Sequence, residues 1–595
     1  MLPPAANPAA APGNPDVISS LAGLYGQQEY SDCKVVFMLE TTPRGGQAAP
    51  SGTLAAGPAE PGLAPGSVVG EPLPAHSLIL RRACEKWNQQ WLDWTPRPDS
   101  NTRASKRRKL TRMQAAAGGG ASPAARADVP EIRIAVRSAD EVPAAAAVVK
   151  LAYTGLVEAG SITEALQVRQ QAGYLRMPRC MEACLALVKE ALLRGEGASA
   201  GAGSSSGAGG GHGGGSGSSS SGAEAAMELF RCSALWPDPA NDPTFAAFEA
   251  LLSEAKRRLV AHFGDALAVL NKEVLRRQLW ALPAMGLEAL LESDGFGTDS
   301  ESSVVLVLAV WMYVNHCRTD ADTRRRLCGL LRLVQCSRGY LAWVLPALAL
   351  DHHDHPDGRA GWLPITPDQA GWLSNYVGAA AAVKEVLWEE RGGVPEGWLN
   401  CRPRRQCVPP PGLAFTFGAS REDLAEAFAT LEEQQSADVY PEFDDGVFGS
   451  IWAMGLEWRP NLQYTQGDAN AYMFLCARVP ATFEVQSSTV RGLNLLRRPT
   501  EMQRAGLYMS KRGAFGRWKD VLISDLASSE AVAFGSGRGN FFALYGAAAP
   551  PVPAQRQAGE QQQALRAREA VVAARWAAYL RDGKLTGKVV LLPRE

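Results

Sequence analysis

LPAMGLEALLESDGFGTDSESSVVLVLAVWMYV, residues 282–314, is the stretch from which the fold can be read. Val304 to Val314 form an unbroken apolar run. Ahead of it, Thr298 and Glu301 stand at the spacing of a capping box, whose two side chains satisfy each other's orphan N–H donors. The spacing predicts a helix through Trp311, with Val304, Leu308 and Trp311 on its inner face. The run is too short for a membrane span, which needs about 20 apolar residues, so it is read as a buried core helix. GFGTDS, residues 295–300, contains Gly-x-Gly but neither the third Gly nor the Lys of a phosphate cradle, and reads as a turn.

Upstream, Asp242 followed by Pro243 is an N-cap and first-turn signal. Phe245, Phe248, Leu252, Ala255, Leu259 and Phe263 then recur at helical spacing and predict one buried face. No strand-type alternation occurs within 223–400, so that region reads as an all-α domain with a helical extension. Further out the period changes. Trp452, Met454, Leu456 and Trp458 alternate, YMFLCAR and AGLYM follow at short spacing, and Gly, Pro and Asn punctuate them, which predicts a β-sandwich over 413–595. An Ala/Gln/Arg-rich stretch predicts an added helix over 560–581, before a last strand at KVVLL. GSGRGN, residues 535–540, also lacks the residues of a phosphate cradle and reads as a turn. At the other end, Val35, Phe37 and Leu39 alternate in SDCKVVFML, and EIRIAV repeats the pattern. AAAAVVKLAY reads as a helix ending at Thr154-Gly155, and Ser161 with Glu164 form another capping box. The region 17–194 is thus α/β.

The 595 residues are a prior for about four domains, and 59 Gly and 39 Pro are too unevenly spread for one body. Stretches 1–16, 41–72 and 96–128 are too poor in large apolar groups to offset their ordering entropy and are expected to be disordered. Residues 195–222 are nearly pure Gly/Ser/Ala and read as a flexible linker. CRPRRQCVPPPG, 401–412, reads as a shorter linker. Sixty basic against 61 acidic residues leave a net charge of −1. No membrane partner and no direct nucleic-acid binding are expected from that balance, which leaves only local patches to argue for either. The N-terminal MLPPAANPAAAPGNPD has neither the basic nor the apolar region of a secretory signal, so an intracellular chain is expected. Eleven cysteines without a CxxC pair predict reduced, mostly buried thiols.

YSDCKVVF, LPAHSLIL, the Trp87/Trp91 stripe, EIRI, VVKLAYTG and MPRCMEACLALV together resemble a BTB/POZ domain. The 282–314 stretch, followed by RRRLCGLLRLVQCSRGYL, resembles the BACK domain that often follows a BTB. FTFGASREDLAEAF, the Trp-rich strand to Trp458 and GAFGRWKDVLISDL look like the C-terminal MATH/TRAF-like β-domain of the plant POB/light-response BTB proteins. The resemblance implies a non-enzymatic adaptor without cofactor or metal. Its BTB domain would form a homodimer and dock a cullin-3-type scaffold of a ubiquitin ligase, and its β-domain would recruit an unknown protein substrate. It also sets Asp32 and His76 at the positions of the paired Asp and His at the base of the BTB, where they would support the dimer-proximal fold; a hydrogen-bonded pair shaping one turn and a direct partner contact are both open for them. Trp87 and Trp91 would replace the family's Phe pair as core anchors. ACEKWNQQWLDWTP departs from the family's small-residue/Pro–Phe–Phe stretch and apolar-x-Glu contact, which leaves a second expectation: a BTB scaffold in a nuclear transcription or chromatin complex that recruits no ligase.

Three further features carry chemistry. DHHDHPD, 351–357, gathers metal-ligand types without a metal-site spacing and reads as a solvated loop between helices. Cys180 and Cys184, beside Met177, Met181 and Leu185, read as a buried helix stripe. RASKRRKLTR has six cations in ten residues and no interleaved aromatic, so Lys106, Arg107, Arg108 and Lys109 are read as a nuclear-import run. A nuclear protein with a cytoplasmic pool is expected.

Overall fold

The computed structural model describes residues 15–40, 64–94, 129–194, 220–446, 449–483, 499–500, 505–513, 515–526, 532–533, 537–544 and 558–593. The chain is a multi-part mixed α/β protein that divides after Arg258 into two compact units. Most of the stretches expected to be disordered lie outside the described residues. Where they overlap them, they are structured: helix α1 covers Pro15–Gly23, strand β2 covers Val68–Ala75, and a helix starts at Ser220.

In the first unit, strand β1 (Cys33–Leu39) is central, with β2 antiparallel on one side and β3 (Glu131–Val136) parallel on the other. In β3 Ile132 and Ile134 are buried, as the period-two pattern requires, but in the central β1 Val36 is buried as well as Val35 and Phe37, and Leu39 is half-buried. Helices α2 (Ser77–Ala83) and α3 (Glu85–Trp94) follow β2. α4 (Val142–Thr154) ends on Gly155, whose φ of 68° is the left-handed C-cap that glycine adopts without strain. α5 (Ile162–Tyr174) starts at Ser161, whose side chain accepts from the Glu164 amide. The Glu164 carboxylate takes the Gly160 N–H at 2.6 Å instead of the Ser161 N–H, so only half of the expected capping box forms. α6 (Pro178–Leu193) buries Cys180, Met181, Cys184 and Leu185. The neighbouring Cys180 and burial together hold the Cys184 thiol well above its ordinary pKa. α7 (Ser220–Arg231) packs on α6.

α8 (Phe245–Phe263) begins three residues after Asp242. The Asp242 carboxylate takes the Thr244 N–H and the guanidinium of buried Arg169, so it anchors a turn instead of capping the helix. Phe248, Leu251, Ala255, Leu259 and Phe263 form the buried stripe. Leu251 takes the place expected for Leu252, a one-residue rotation of the face.

The second unit contains both the helices from Ala266 onward and all the C-terminal strands. α9 (Ala266–Asn271), α10 (Glu273–Trp280) and α11 (Ala284–Glu292) precede α12 (Glu301–Asn315), in which every residue from Glu301 to Met312 is buried. Trp311 is a core residue as predicted, 2% exposed, although the helix is buried all round and has no single inner face, and its indole N–H donates to the Leu282 carbonyl at 2.8 Å. The expected Thr298/Glu301 capping box is absent: Ser300 is the N-cap, Thr298 Oγ1 donates to the Ser300 carbonyl, and the Glu301 carboxylate faces Arg404.

That last contact overturns the linker reading of 401–412. Arg404 donates to both oxygens of Glu301 at 3.0 and 3.4 Å with both side chains buried, Arg402 pairs with Asp294 at 2.9 Å, and Thr298 and Gln406 form a β-bridge. A basic segment that looks solvated by composition is drawn in by buried and half-buried carboxylates. The segments expected as separate domains, 223–400 and 413–595, are therefore not divided there. α13 (Ala321–Gly329), α14 (Leu345–Asp354), α15 (Pro367–Gly378) and α16 (Ala381–Glu389) complete the helical part. Residues 351–354 of DHHDHPD belong to α14 rather than to a loop. Asp351 is buried, and His352 Nδ1 lies 2.8 Å from the Gly361 carbonyl.

The strands are β4 (Leu413–Ser420), β5 (Ser436–Val439), β6 (Glu442–Phe443), β7 (Ile451–Ala453), β8 (Leu456–Thr465), β9 (Asn470–Arg478), β10 (Pro499–Thr500), β11 (Ala505–Arg512), β12 (Trp518–Asp525), β13 (Val532–Ala533), β14 (Gly537–Ala543), β15 (Leu580–Arg581) and β16 (Lys584–Leu591). One sheet runs β12-β11-β16-β4-β6, with β15 beside β16; a second runs β14-β9-β8-β5, with β7 beside β8; β10 and β13 pair separately. Ile451, Trp458 and Leu475 of the second sheet meet Ala505, Val589 and Leu591 of the first in one apolar interior. The alternating stretch 452–458 is a hairpin, not one strand. Met454 and Gly455 turn it with φ of 57° and 74°, and the turn is seated on the helices by Asn271, Asp299 and Ser303. GSGRGN is no turn either: its last four residues open β14. There a Cβ on Gly539 would lie 1.7 Å from the Met473 carbonyl oxygen, a close backbone approach of the kind that glycine allows within a strand. Helix α17 (Arg421–Phe428) and the added helix α18 (Ala558–Trp576) pack together, Phe428 stacking on Trp576 at 5.6 Å. α18 ends five residues before the expected 581, because Leu580 and Arg581 pair with β16.

Candidate functional site

Along β8 burial alternates without a break: Trp458, Leu462 and Tyr464 point inward, while Arg459, Asn461 and Gln463 lie on the other face. Strand register sets what stands beside them. Gln463 is opposite Tyr472 and Tyr472 opposite Phe541; Asn461 is opposite Phe474 and Phe474 opposite Gly539; Arg459 is opposite Cys476. Directly paired residues share a face, so the open side of this sheet carries an aromatic strip beside a polar one.

The aromatic strip is exposed, with Tyr472 at 37% and Phe541 at 58%. Tyr472 and Phe474 are parallel within 5° at 6.1 Å, and Phe541 meets Tyr472 edge-on at 6.3 Å. Gly537 and Gly539 make this packing possible: a Cβ on Gly537 would come within 2.7 Å of Phe474 Cβ. On the polar strip the Arg459 guanidinium lies 4.7 Å over the Tyr440 ring. Arg459 Nε and Asn461 Oδ1 are occluded from solvent and have no hydrogen-bond partner among the described residues. A buried donor and acceptor left unpaired cost about 1–3 kcal/mol each, and covering an exposed ring yields about 1.5–3 kcal/mol. The second term favours an occupant that brings apolar groups to the exposed rings. Burial also pushes the Cys476 thiol above its ordinary pKa, so it is present as a neutral thiol.

The site residues read from the sequence lie in the first unit and not on this face. Asp32 and His76 do not bond to each other. The Asp32 carboxylate accepts from the Ser77 N–H at 2.7 Å and the Ser77 hydroxyl at 2.6 Å, and so caps α2 from outside the helix. Partial burial works against its charge, but the Ser77 hydrogen bonds outweigh it and hold its pKa below the usual value. His76 instead bridges the Glu29 carbonyl at 2.9 Å and the Tyr153 hydroxyl at 3.2 Å. Burial pushes the Tyr153 hydroxyl up to about 12. The two residues shape the same turn through separate partners. Trp87 is fully buried; Trp91 is half-buried, with the Arg81 guanidinium 5.8 Å from its ring. Lys106, Arg107, Arg108 and Lys109 lie outside the described residues.

Among the described residues no group of three or more His, Cys, Asp or Glu is placed to hold a metal ion, and no helix is long and apolar enough to cross a membrane. The sheet face was missed by sequence reasoning, although its signal was present in the alternation of EWRPNLQY and AYMFLC. Both alternating sets contain aromatics, so the pattern does not say which set faces out. Comparison of the chain with models of known protein families, with curated proteins and with solved structures finds no match.

Proposed function

We propose that the protein is a non-catalytic adaptor that dimerises and docks a cullin-3-type ligase scaffold through a BTB-like first unit, and recruits a protein substrate through the open face of β8, β9 and β14. The observation that carries this reading is that face: solvent-exposed Tyr472 and Phe541 beside the unpaired Arg459 Nε and Asn461 Oδ1. Interfaces concentrate their energy in such aromatic and Arg anchors. The finer domain identities, BTB followed by BACK and a MATH/TRAF-like β-domain, rest on the motif resemblance and are part of the proposal, as is the nuclear location.

Immunoprecipitation of the full chain with mass spectrometry tests it. Cullin-3 is expected with the parent chain and with a Tyr472→Ala, Phe541→Ala variant, while at least one other partner is lost from the variant. Absence of cullin-3 from both sinks the ligase reading and favours the scaffold alternative, whose supporting observation is the absent apolar-x-Glu element after α2. An unchanged partner set in the variant removes the sheet face from the proposal.

A further inference from the structure

At the β11–β12 connection the sequence reads KRGAFGRWK, residues 511–519, with four cations, two aromatics and no acid. Arg512 pairs with Trp518, and the connection between them is a narrow loop closed by the Gly513 N–H to the Arg517 carbonyl at 2.9 Å. Phe515 stands at its apex and is 96% exposed. Gly516 beside it has a φ of 74°, and a Cβ built on it would lie 3.7 Å from the Arg512 guanidinium. Among the described residues no ion pair reaches Arg512, Arg517 or Lys519, which are all exposed. The next acid, Asp520, is already held by Lys588 at 2.7 Å. Lys511, the direct cross-strand partner of Lys519, has its ammonium 5.2 Å from the Tyr579 ring.

We propose that this hairpin docks on an anionic phospholipid surface, with Phe515 entering the acyl boundary and the cations at headgroup level. The dimensions suit that partner. At about 3.3 Å per residue, Arg517 and Arg512 lie within about 7–10 Å of Phe515 along the chain, and interfacial apolar groups enter about 5–10 Å below the headgroups. Lys511 and Lys519 stand one further step back, still within about a Debye length of the charged layer. A protein hot spot sits inside a ring of packed contacts, and a single-stranded nucleic-acid site spreads several rings along a groove. A lone projecting ring in a cationic collar matches neither. The net charge of the whole chain, −1, does not bear on a patch this local.

Co-sedimentation of the full chain with sucrose-loaded vesicles tests it. Binding is expected to phosphatidylcholine vesicles containing phosphatidylserine, weakly or not at all to phosphatidylcholine alone, and to fall as salt is raised. Each of Arg512→Ala, Arg517→Ala and Lys519→Ala should lower the partition coefficient about fivefold. Phe515→Ala should lower it about tenfold and Phe515→Trp should retain it. The thermal melt should be unchanged throughout, because these side chains are exposed. Equal binding to both vesicle types, or full binding by Phe515→Ala, overturns the proposal. So does hairpin-dependent capture of oligouridylate or polyglutamate without vesicle binding, which would assign the patch to nucleic acid or to an acidic protein.

Discussion

Arg404→Ala asks whether residues 401–412 clasp the second unit or merely connect its parts. The Arg404 guanidinium donates to both Glu301 oxygens and, at 2.9 Å, to the Ser293 carbonyl, and the two side chains are 0% and 2% exposed. Desolvating two ions offsets most of their attraction, so the pair itself adds little net stability. Removing one ion is different, because it strands the Glu301 carboxylate in the core with the Arg332 N–H, at 3.0 Å, as its remaining partner. An uncompensated buried charge costs about 3–5 kcal/mol, and the orphaned Ser293 carbonyl adds about 1 kcal/mol. Urea unfolding followed by tryptophan fluorescence should show a loss of about 4–6 kcal/mol by the same terms. The control is Arg404→Met combined with Glu301→Gln, which removes both charges at similar volume and should recover most of the loss. A change under about 0.5 kcal/mol in the single variant, as for a solvated position, would refute the clasp. A double variant no better than the single one would refute the stranded-charge account.

Trp311→Ala empties a fully packed site and frees the Leu282 carbonyl, so it should cost about 3–5 kcal/mol; an unchanged melting temperature would contradict the burial of that side chain. His316 is 4% exposed, and burial, helped by Arg324 and Arg359, pushes its pKa below the ordinary value. The fold thus prefers the neutral ring: its stabilisation is complete above the unfolded pKa of about 6.5 and is lost as pH falls from there toward the folded pKa. His316→Gln should flatten the decline in urea midpoint below about pH 6.5, and an identical pH profile in parent and variant would exclude His316 as its source. Changing Lys106, Arg107, Arg108 and Lys109 to Ala should move the protein from nucleus to cytoplasm on imaging with stability within about 0.5 kcal/mol of the parent; unmoved localisation would remove the import assignment.

Local patterns carried much of the fold. The run from Val304 to Trp311, the Ser161 cap, the alternation in CKVVFML and EIRIAV, and the Cys180/Cys184 stripe are all visible in sequence, because helix and strand periods and caps depend on residues within a few positions of one another. The remainder depended on partners far along the chain. Arg404 looks like part of a solvated linker until Glu301, 103 positions away, is brought against it. The alternation from Trp452 to Trp458 continues through a turn, because Met454 does not announce its positive φ and Asn271, Asp299 and Ser303 seat the turn from the helices. Gly537 and Gly539 signal a loop by composition, yet they serve a strand that must run against β9 with Phe474 packed over it. Asp32 and His76 read as a pair, but Ser77 and Tyr153 offered each a better-placed partner. Sequence by itself determined the helices and strands whose period and caps are local, such as the Val304–Trp311 run and EIRIAV. Only tertiary structure decided which apolar face stays open and which charges are buried, because burial is a property of the assembled neighbours and not of the segment.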